Sequence, residues 1–250
     1  MASLNQEALA VPRMLPISLG FVAGFIDACT FLALFRLFVA QVTGSFVIAG
    51  SQIVEADPSM LVPVTAIPIF FLIGMGTALL LTLSGRTGWI ALTTGLAIET
   101  ALVIAFFAIG TIGAPFARPN APLAVAASLL GISAMSVQST LVRLLMAGTP
   151  STNVMTTNTT QLAIDAAEWL AASRRQRAKP GDPSAQTACA AARRRFTRLF
   201  SIMIAFLGGT ISGAVSYRWL GLPGLLTAVT ILAGMAGYCA WRSNRADLPS

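Results

Sequence analysis

Apolar residues dominate this chain in six windows, separated by short polar stretches. Met14 to Phe35 is interrupted only by Asp27, Pro58 to Gly85 is uncharged, and Thr87 to Ala117 is uncharged apart from Glu99. Pro119 to Val142, Leu199 to Tyr217 and Leu220 to Trp241 carry no charge at all. Each window is long enough for a spanning helix, which needs about 20 apolar residues to cross roughly 30 Å of hydrocarbon. The pattern predicts an all-α integral membrane protein of about six transmembrane helices, with its core between helices. The run after Arg13 is too long for a signal-peptide h-region and no A-x-A pattern closes it, so it is read as a retained first helix.

One stretch breaks the pattern. "VMTTNTTQLAID", Val154 to Asp165, gathers four threonines, an asparagine and a glutamine just before an acid. Asn158 and Gln161 read as a capping-box variant that opens a helix near Thr159. Gln161, Asp165 and Glu168 then share one face of an amphipathic helix. Two placements are open for it: an interfacial helix with its acids toward cytoplasmic water or basic residues, or a re-entrant element whose N-terminus points into a cavity.

Composition agrees with the windows. Charged residues make up 10% of the chain and the mean hydropathy is +0.78, against roughly a quarter charged in soluble domains. The longest polar segment, 173–198, is too short for a soluble domain, so residues 1–250 are expected to form one membrane domain with one basic cytoplasmic loop.

That segment contains Arg174, Arg175, Arg177, Lys179, Arg193, Arg194, Arg195 and Arg198 against the single acid Asp182. The positive-inside rule therefore assigns it to the cytoplasm. Arg13, Arg86, Arg242 and Arg245 then fall inside. Glu55, Asp57, Arg118 and Arg218 fall outside. The expectation is an N-in, C-in protein of the bacterial inner membrane. The net charge of +7 is explained by topology and by anionic lipid headgroups, each Lys or Arg near them being worth about 1 kcal/mol. The expected partners are the bilayer, those headgroups and an unknown small solute or ion, with no nucleic acid; a homo-oligomer is compatible with the plan.

The chain has no histidine and three cysteines, which excludes a Ser-His dyad and imidazole metal sites and suggests no disulfide framework. Lys179 is the sole lysine and lies in the polar segment, so no buried Ser-Lys pair is available. No cofactor, metal or enzymatic activity is expected. Intramembrane hydrolysis would have to run on Asp27 and Glu99 alone.

The chain also divides into two halves, 14–117 and 119–241. An arginine near the end of the first helix of each, Arg36 or Arg143, precedes a polar core: Thr43, Gly44 and Ser45, or Thr156, Thr157 and Asn158. The second half carries an insertion of about six residues. Three crossings per half would make the halves inverted repeats, a plan of many transporters, with polar segments entering from opposite faces.

"GFIDACTFLALFRLFVAQVTGSFVIAG", Gly24 to Gly50, resembles the opening motif of the YoaK family, membrane proteins carrying a domain of unknown function. "VQSTLVRLLMAGTPSTNVMTTNTTQLAID", Val137 to Asp165, resembles its second motif, which includes Gln138. Ser45 stands where the family pattern has asparagine, and Thr157 where it usually has glycine. The resemblance covers nearly the whole chain and implies no settled activity.

Asp27 and Glu99 fall near the middle of their windows, where a charged carboxylate costs about 2.5–3.5 kcal/mol. Each is read as a proton- or cation-coupling acid, or as a carboxyl hydrogen-bonded within the bundle. Arg36 and Arg143 are expected to snorkel from helix ends. The candidate solute or ion pathway comprises Asp27, Thr30, Thr43, Ser45, Glu99, Gln138, Thr156, Asn158, Thr159 and Asp165. The favoured function is a small-solute transporter or channel; the alternative is a scaffold, sensor or assembly factor whose polar segments only join helices.

Overall fold

The computed structural model describes residues 9, 11–55, 61–85, 87–146 and 148–246. Asp57, Pro58 and Arg86, used above for topology and window limits, lie outside the described residues. The described chain is helical throughout: α1 Met14–Ala33, α2 Thr43–Val54, α3 Leu61–Leu83, α4 Gly88–Gly113, α5 Pro122–Leu145, α6 Met155–Ala178, α7 Pro183–Leu220 and α8 Leu226–Ala246. All but α2 and α6 are long and apolar enough to cross a membrane, α8 together with the 3-10 turn Leu222–Leu225 before it. These spans correspond to the six windows.

Two pairs of glycines set the closest crossing. Gly20 and Gly24 of α1 face Ile202 and Phe206 of α7, while Gly209 and Gly213 of α7 face the backbone of Phe21 and Phe25. The order of these contacts makes α1 and α7 parallel. Small residues four apart let backbones approach to this degree. The Cys29 thiol donates to the Gly213 carbonyl at 3.5 Å across the same seam.

α3 and α5 are also parallel. The Ser136 hydroxyl donates to the Phe70 carbonyl at 2.6 Å, and Gly74 leaves room for Ser136 and Thr140. α4 runs antiparallel to both α5 and α8, with Gly95 beneath Leu141, Gly113 beside Leu123 and Trp89 edge-on to Tyr238. The bundle core is built from buried aliphatic and aromatic side chains of these six helices, among them Leu19, Phe25, Leu96, Phe106 and Ile132.

The ends sort as the crossings require. Leu9 N–H donates to the Leu145 carbonyl at 3.3 Å, and the Arg242 guanidinium lies 5.2 Å from the Trp89 ring centre. The starts of α1 and α4 and the ends of α5 and α8 therefore share one end of the bundle. Arg36 shares a cavity with Pro115, Phe116 and Tyr217 at the other.

The segment 173–198, expected as a loop, is almost wholly helical. α6 continues to Ala178, and α7 restarts at Pro183 after the turn 179–182. Apart from Pro180, Gly181 and Pro183, the last at the first turn of α7, the segment is rich in Ala and Arg, both strong helix formers. Tertiary contacts then hold the hairpin: Trp169 lies 5.3 Å from Phe196 between ring centres, and Arg195 pairs with Glu168. The Asp182 carboxylate caps α7, accepting from Ser184 N–H at 2.9 Å and from its hydroxyl at 2.7 Å. These two bonds hold that acid below its usual carboxylate range. At 38 residues α7 is about 57 Å long, so it projects roughly 25 Å beyond the hydrocarbon.

Candidate functional site

α1 does not hand the chain on to solvent. Phe35 and Arg36 adopt left-handed backbone at φ 53° and 66°, a conformation unusual for non-glycine residues. They reverse the chain, which returns alongside α1 until it reaches Asp27. There Val39 and Ala40 N–H donate to one carboxylate oxygen at 2.8 and 2.7 Å, and Gln41 Nε2 donates to the other at 3.3 Å. α2 then starts at this depth and runs back toward Arg36, since Ile48 and Gln52 share a cavity with Leu34 and Arg36. Its N-terminus lies inside the bundle.

A second fold-back follows α5. Gln138 stands two turns before the end of that helix, and its Nε2 donates to Leu19 O at 3.1 Å, Thr152 Oγ1 at 2.9 Å and Asn153 Oδ1 at 3.3 Å. Asn153 Nδ2 in turn donates to Ser139 Oγ at 2.8 Å. The chain leaving α5 thus re-enters to the level of Gln138 before α6 begins. α6 then runs out along α7 toward the basic hairpin.

These two fold-backs bring the N-termini of α2 and α6 to one cavity of about 510 Å³. Thr43 borders it from one side and Met155 and Thr156 from the other, with Gln41, Ser139, Ser151 and Asn153 adding polar groups. Phe46, Ile67, Phe70 and Phe71 supply apolar wall. Arg143 is the one charged side chain among the described residues that line it. Neither helix start carries a side-chain cap. In α2 the Gly44 and Ser45 amides are taken by the Gln41 and Val42 carbonyls, at 2.9 Å each, so what the two helix starts bring to the cavity is the positive end of each dipole.

The candidate residues divide around this cavity. Thr43 and Thr156 line it. Asp27 and Gln138 hold the backbone segments that form its floor. Ser45 is buried in the first turn of α2, with no hydrogen-bond partner for its hydroxyl among the described residues. Thr30 donates to the Asp27 carbonyl at 3.0 Å, and its methyl is among the atoms that a Cβ at Gly131 would meet, at 3.8 Å, so it lies at the seam of α1 and α5. Thr159 is exposed and bonds back to Met155 O at 2.9 Å.

Asn158 does not cap a helix at Thr159. α6 begins four residues earlier, at Met155, because Ser151 Oγ accepts from Asn153 and Val154 N–H at 3.3 and 3.2 Å and organises the turn. Asn158 is buried in the first turn and donates to Ser151 O at 2.6 Å, tying the helix to its own lead-in. Asp165 is buried away from the cavity. It accepts from Gln161 at 3.0 Å and lies 3.8 Å from Arg195, so its partner is the basic helix α7.

Glu99 is fully buried in α4, and neither carboxyl oxygen has a hydrogen-bond partner among the described residues. It does not border the cavity. Sequence reasoning passed over Gln41, Ser139, Ser151 and Asn153 as site residues. The turn-rich "GTPSTN" before α6 is the signal that could have found the last two. No group of His, Cys, Asp and Glu among the described residues is arranged to hold a metal.

One family model, described as a protein of unknown function, DUF1275, matches residues 15–238. No curated protein matches the chain, and no solved structure does.

Proposed function

The chain belongs to the DUF1275 family, and we propose that it is a small-solute transporter or channel whose solute site is the cavity between the N-termini of α2 and α6. The observation that carries this reading is the meeting of two interior helix starts at a single cavity whose apolar walls carry a set of polar side chains. Broken helices meeting near mid-membrane are how many transporters build solute sites, and the positive ends of their dipoles favour negatively charged solute groups. Arg143 adds a positive charge, and no acid opposes it among the described lining residues. The favoured solute is a small anion.

The two halves act in this reading as inverted repeats. Asp27 and Gln138 hold equivalent posts, each gathering the returning chain just before a helix that starts inside the bundle, α2 or α6. The hairpin end of the bundle, with Arg13 and the end of α8, faces the cytoplasm of a bacterial inner membrane, because that end collects the basic residues. Asp27 is engaged in holding the fold-back. Glu99 is the membrane acid left free to carry a coupling proton.

Uptake of small organic and inorganic anions into proteoliposomes tests the proposal, with Arg143→Gln protein and empty vesicles alongside. Wild-type flux above empty vesicles, reduced by the substitution, is the expected result. Equal movement in all three would leave the polar segments as helix joints and favour the scaffold role.

A further inference from the structure

A second cavity, of about 500 Å³, opens at the hairpin end of the bundle. Its rim carries Arg13, Arg194 and Arg198 with the hydroxyls of Thr149, Thr197 and Ser201. Arg195 also borders it, but is already paired with Asp165 and Glu168 on α6. Arg13 and Arg194 have no acid partner among the described residues, and Arg198 donates only to the Thr149 hydroxyl, at 2.5 Å. Three guanidinium groups are thus gathered at one opening with no carboxylate paired to them among the described residues. That is an arrangement suited to a multiply charged oxyanion, since guanidinium forks match phosphate oxygens.

The cavity's depth says more about the ligand. The parallel register that brings Gly20 to Ile202 brings the start of α1 level with Arg194 and Arg198 on α7. Apolar α1 begins at Met14, so this is the level where hydrocarbon gives way to headgroups. Beyond the arginines the wall is mainly apolar, with Pro16, Ile17 and Ile202 beside the Ser201 hydroxyl, and Leu9 and Val11 add apolar wall ahead of Arg13. A basic rim over an apolar floor fits a molecule with a phosphate at one end and hydrocarbon at the other.

We propose that this cavity is a binding site for a phosphate group, supplied by an anionic phospholipid seated at the start of α1 and α7. Thr149 borders both this cavity and the one between α2 and α6. A phosphate bound here therefore lies against the segment that leads into α6, and occupancy stiffens that lead-in. The site stands whether or not the protein transports a solute.

The test uses the full chain in nanodiscs of phosphatidylcholine with a minor share of phosphatidic acid, with retained lipid counted by native mass spectrometry. Wild type is expected to retain phosphatidic acid in preference to phosphatidylcholine. Arg194→Gln with Arg198→Gln is expected to lower that preference roughly 30-fold, at about 1 kcal/mol per basic residue. Arg174→Gln with Arg175→Gln removes the same charge from α6 outside the cavity and is expected to change it less than twofold. Equal loss in the two pairs would overturn the proposal, because only diffuse charge would then be acting.

In a second arm, inorganic phosphate is titrated onto protein in pure phosphatidylcholine nanodiscs. Saturable binding that is lost in the Arg194/Arg198 pair supports the phosphate site and assigns its ligand to the aqueous phase. No phosphate binding together with no phosphatidic acid preference overturns it. Should the double variant fold poorly, Arg13→Gln, at the exposed start of α1, is read in the same two arms and is expected to weaken retention several-fold.

Discussion

The Ala40 amide donates to the Asp27 carboxylate at 2.7 Å across thirteen residues of chain. The Val39 amide donates to the same oxygen, so one side-chain atom holds the returning backbone at mid-helix depth. Hydrogen bonds to a charged group contribute about 1.5–3 kcal/mol, and an orphaned buried amide costs about 1–3 kcal/mol. Asp27→Ala is therefore expected to lower stability by roughly 2–6 kcal/mol. Asp27→Asn keeps an acceptor for both amides and is expected to lose no more than about 2 kcal/mol. Thermal unfolding of both variants in detergent checks this. An Asn variant as damaged as the Ala variant would mean that the negative charge itself, beyond the acceptor geometry, is needed there.

The crossing of α1 and α7 yields a matched pair of substitutions. A methyl added at Gly209 would meet the Phe21 carbonyl, which belongs to backbone and cannot turn aside, whereas one added at the neighbouring Gly208 meets nothing within 4 Å. Overpacking costs about 1–3 kcal/mol, so Gly209→Ala is expected to destabilise by that amount or more. Gly208→Ala is expected to be neutral or to stabilise by up to about 1 kcal/mol through helix propensity. Thermal melts of the two proteins side by side decide it; equal stability would mean that α1 and α7 can slide apart without cost.

How far this molecule was legible in its sequence follows from which forces set each feature. The six spans were readable because apolar length is a local property and the bilayer tests it residue by residue. The spacing of the glycine pairs is local in the same sense, since residues four apart on one helix share a face. The two fold-backs were visible only as polar cores. Their shape depends on Asp27 and Gln138 meeting backbone and side chains twelve to fifteen residues on, and no local pattern encodes such a closure. The basic hairpin was misread because charge density was taken to mean loop, although Ala, Arg and Gln favour helix. Arg143 was expected to snorkel; its place on the cavity wall depends on the re-entry of 149–156 beside it.

Glu99 is fully buried in α4 without a hydrogen-bond partner among the described residues. A buried polar group so placed costs about 1–3 kcal/mol relative to a partnered one. Glu99→Met, similar in volume and apolar, is expected to raise stability by about that amount. Natural proteins retain such costs chiefly at functional positions. The same substitution is therefore expected to abolish the dependence of uptake on a pH gradient while solute exchange continues. Loss of stability would instead mean that the carboxyl has a structural partner in the membrane.

Arg143 separates a solute site from a helix joint. It lies in the last turn of α5, exposed, on the wall of the cavity that the two interior helix starts share. If it holds an anion, its charge-assisted hydrogen bonds contribute about 1.5–3 kcal/mol, and Arg143→Gln weakens solute affinity roughly 10- to 100-fold. Because the structure gives it no partner side chain among the described residues, the same substitution should leave thermal stability within about 0.5 kcal/mol. Arg143→Lys keeps the charge but loses the fork, so it should recover part of the affinity. Concentration-dependent flux into proteoliposomes, read with a melt of each protein, checks all three values. A raised half-saturation concentration at unchanged melting temperature is what a binding role requires. A lowered melting temperature at unchanged flux would return Arg143 to the snorkelling role that its place near a helix end first suggested.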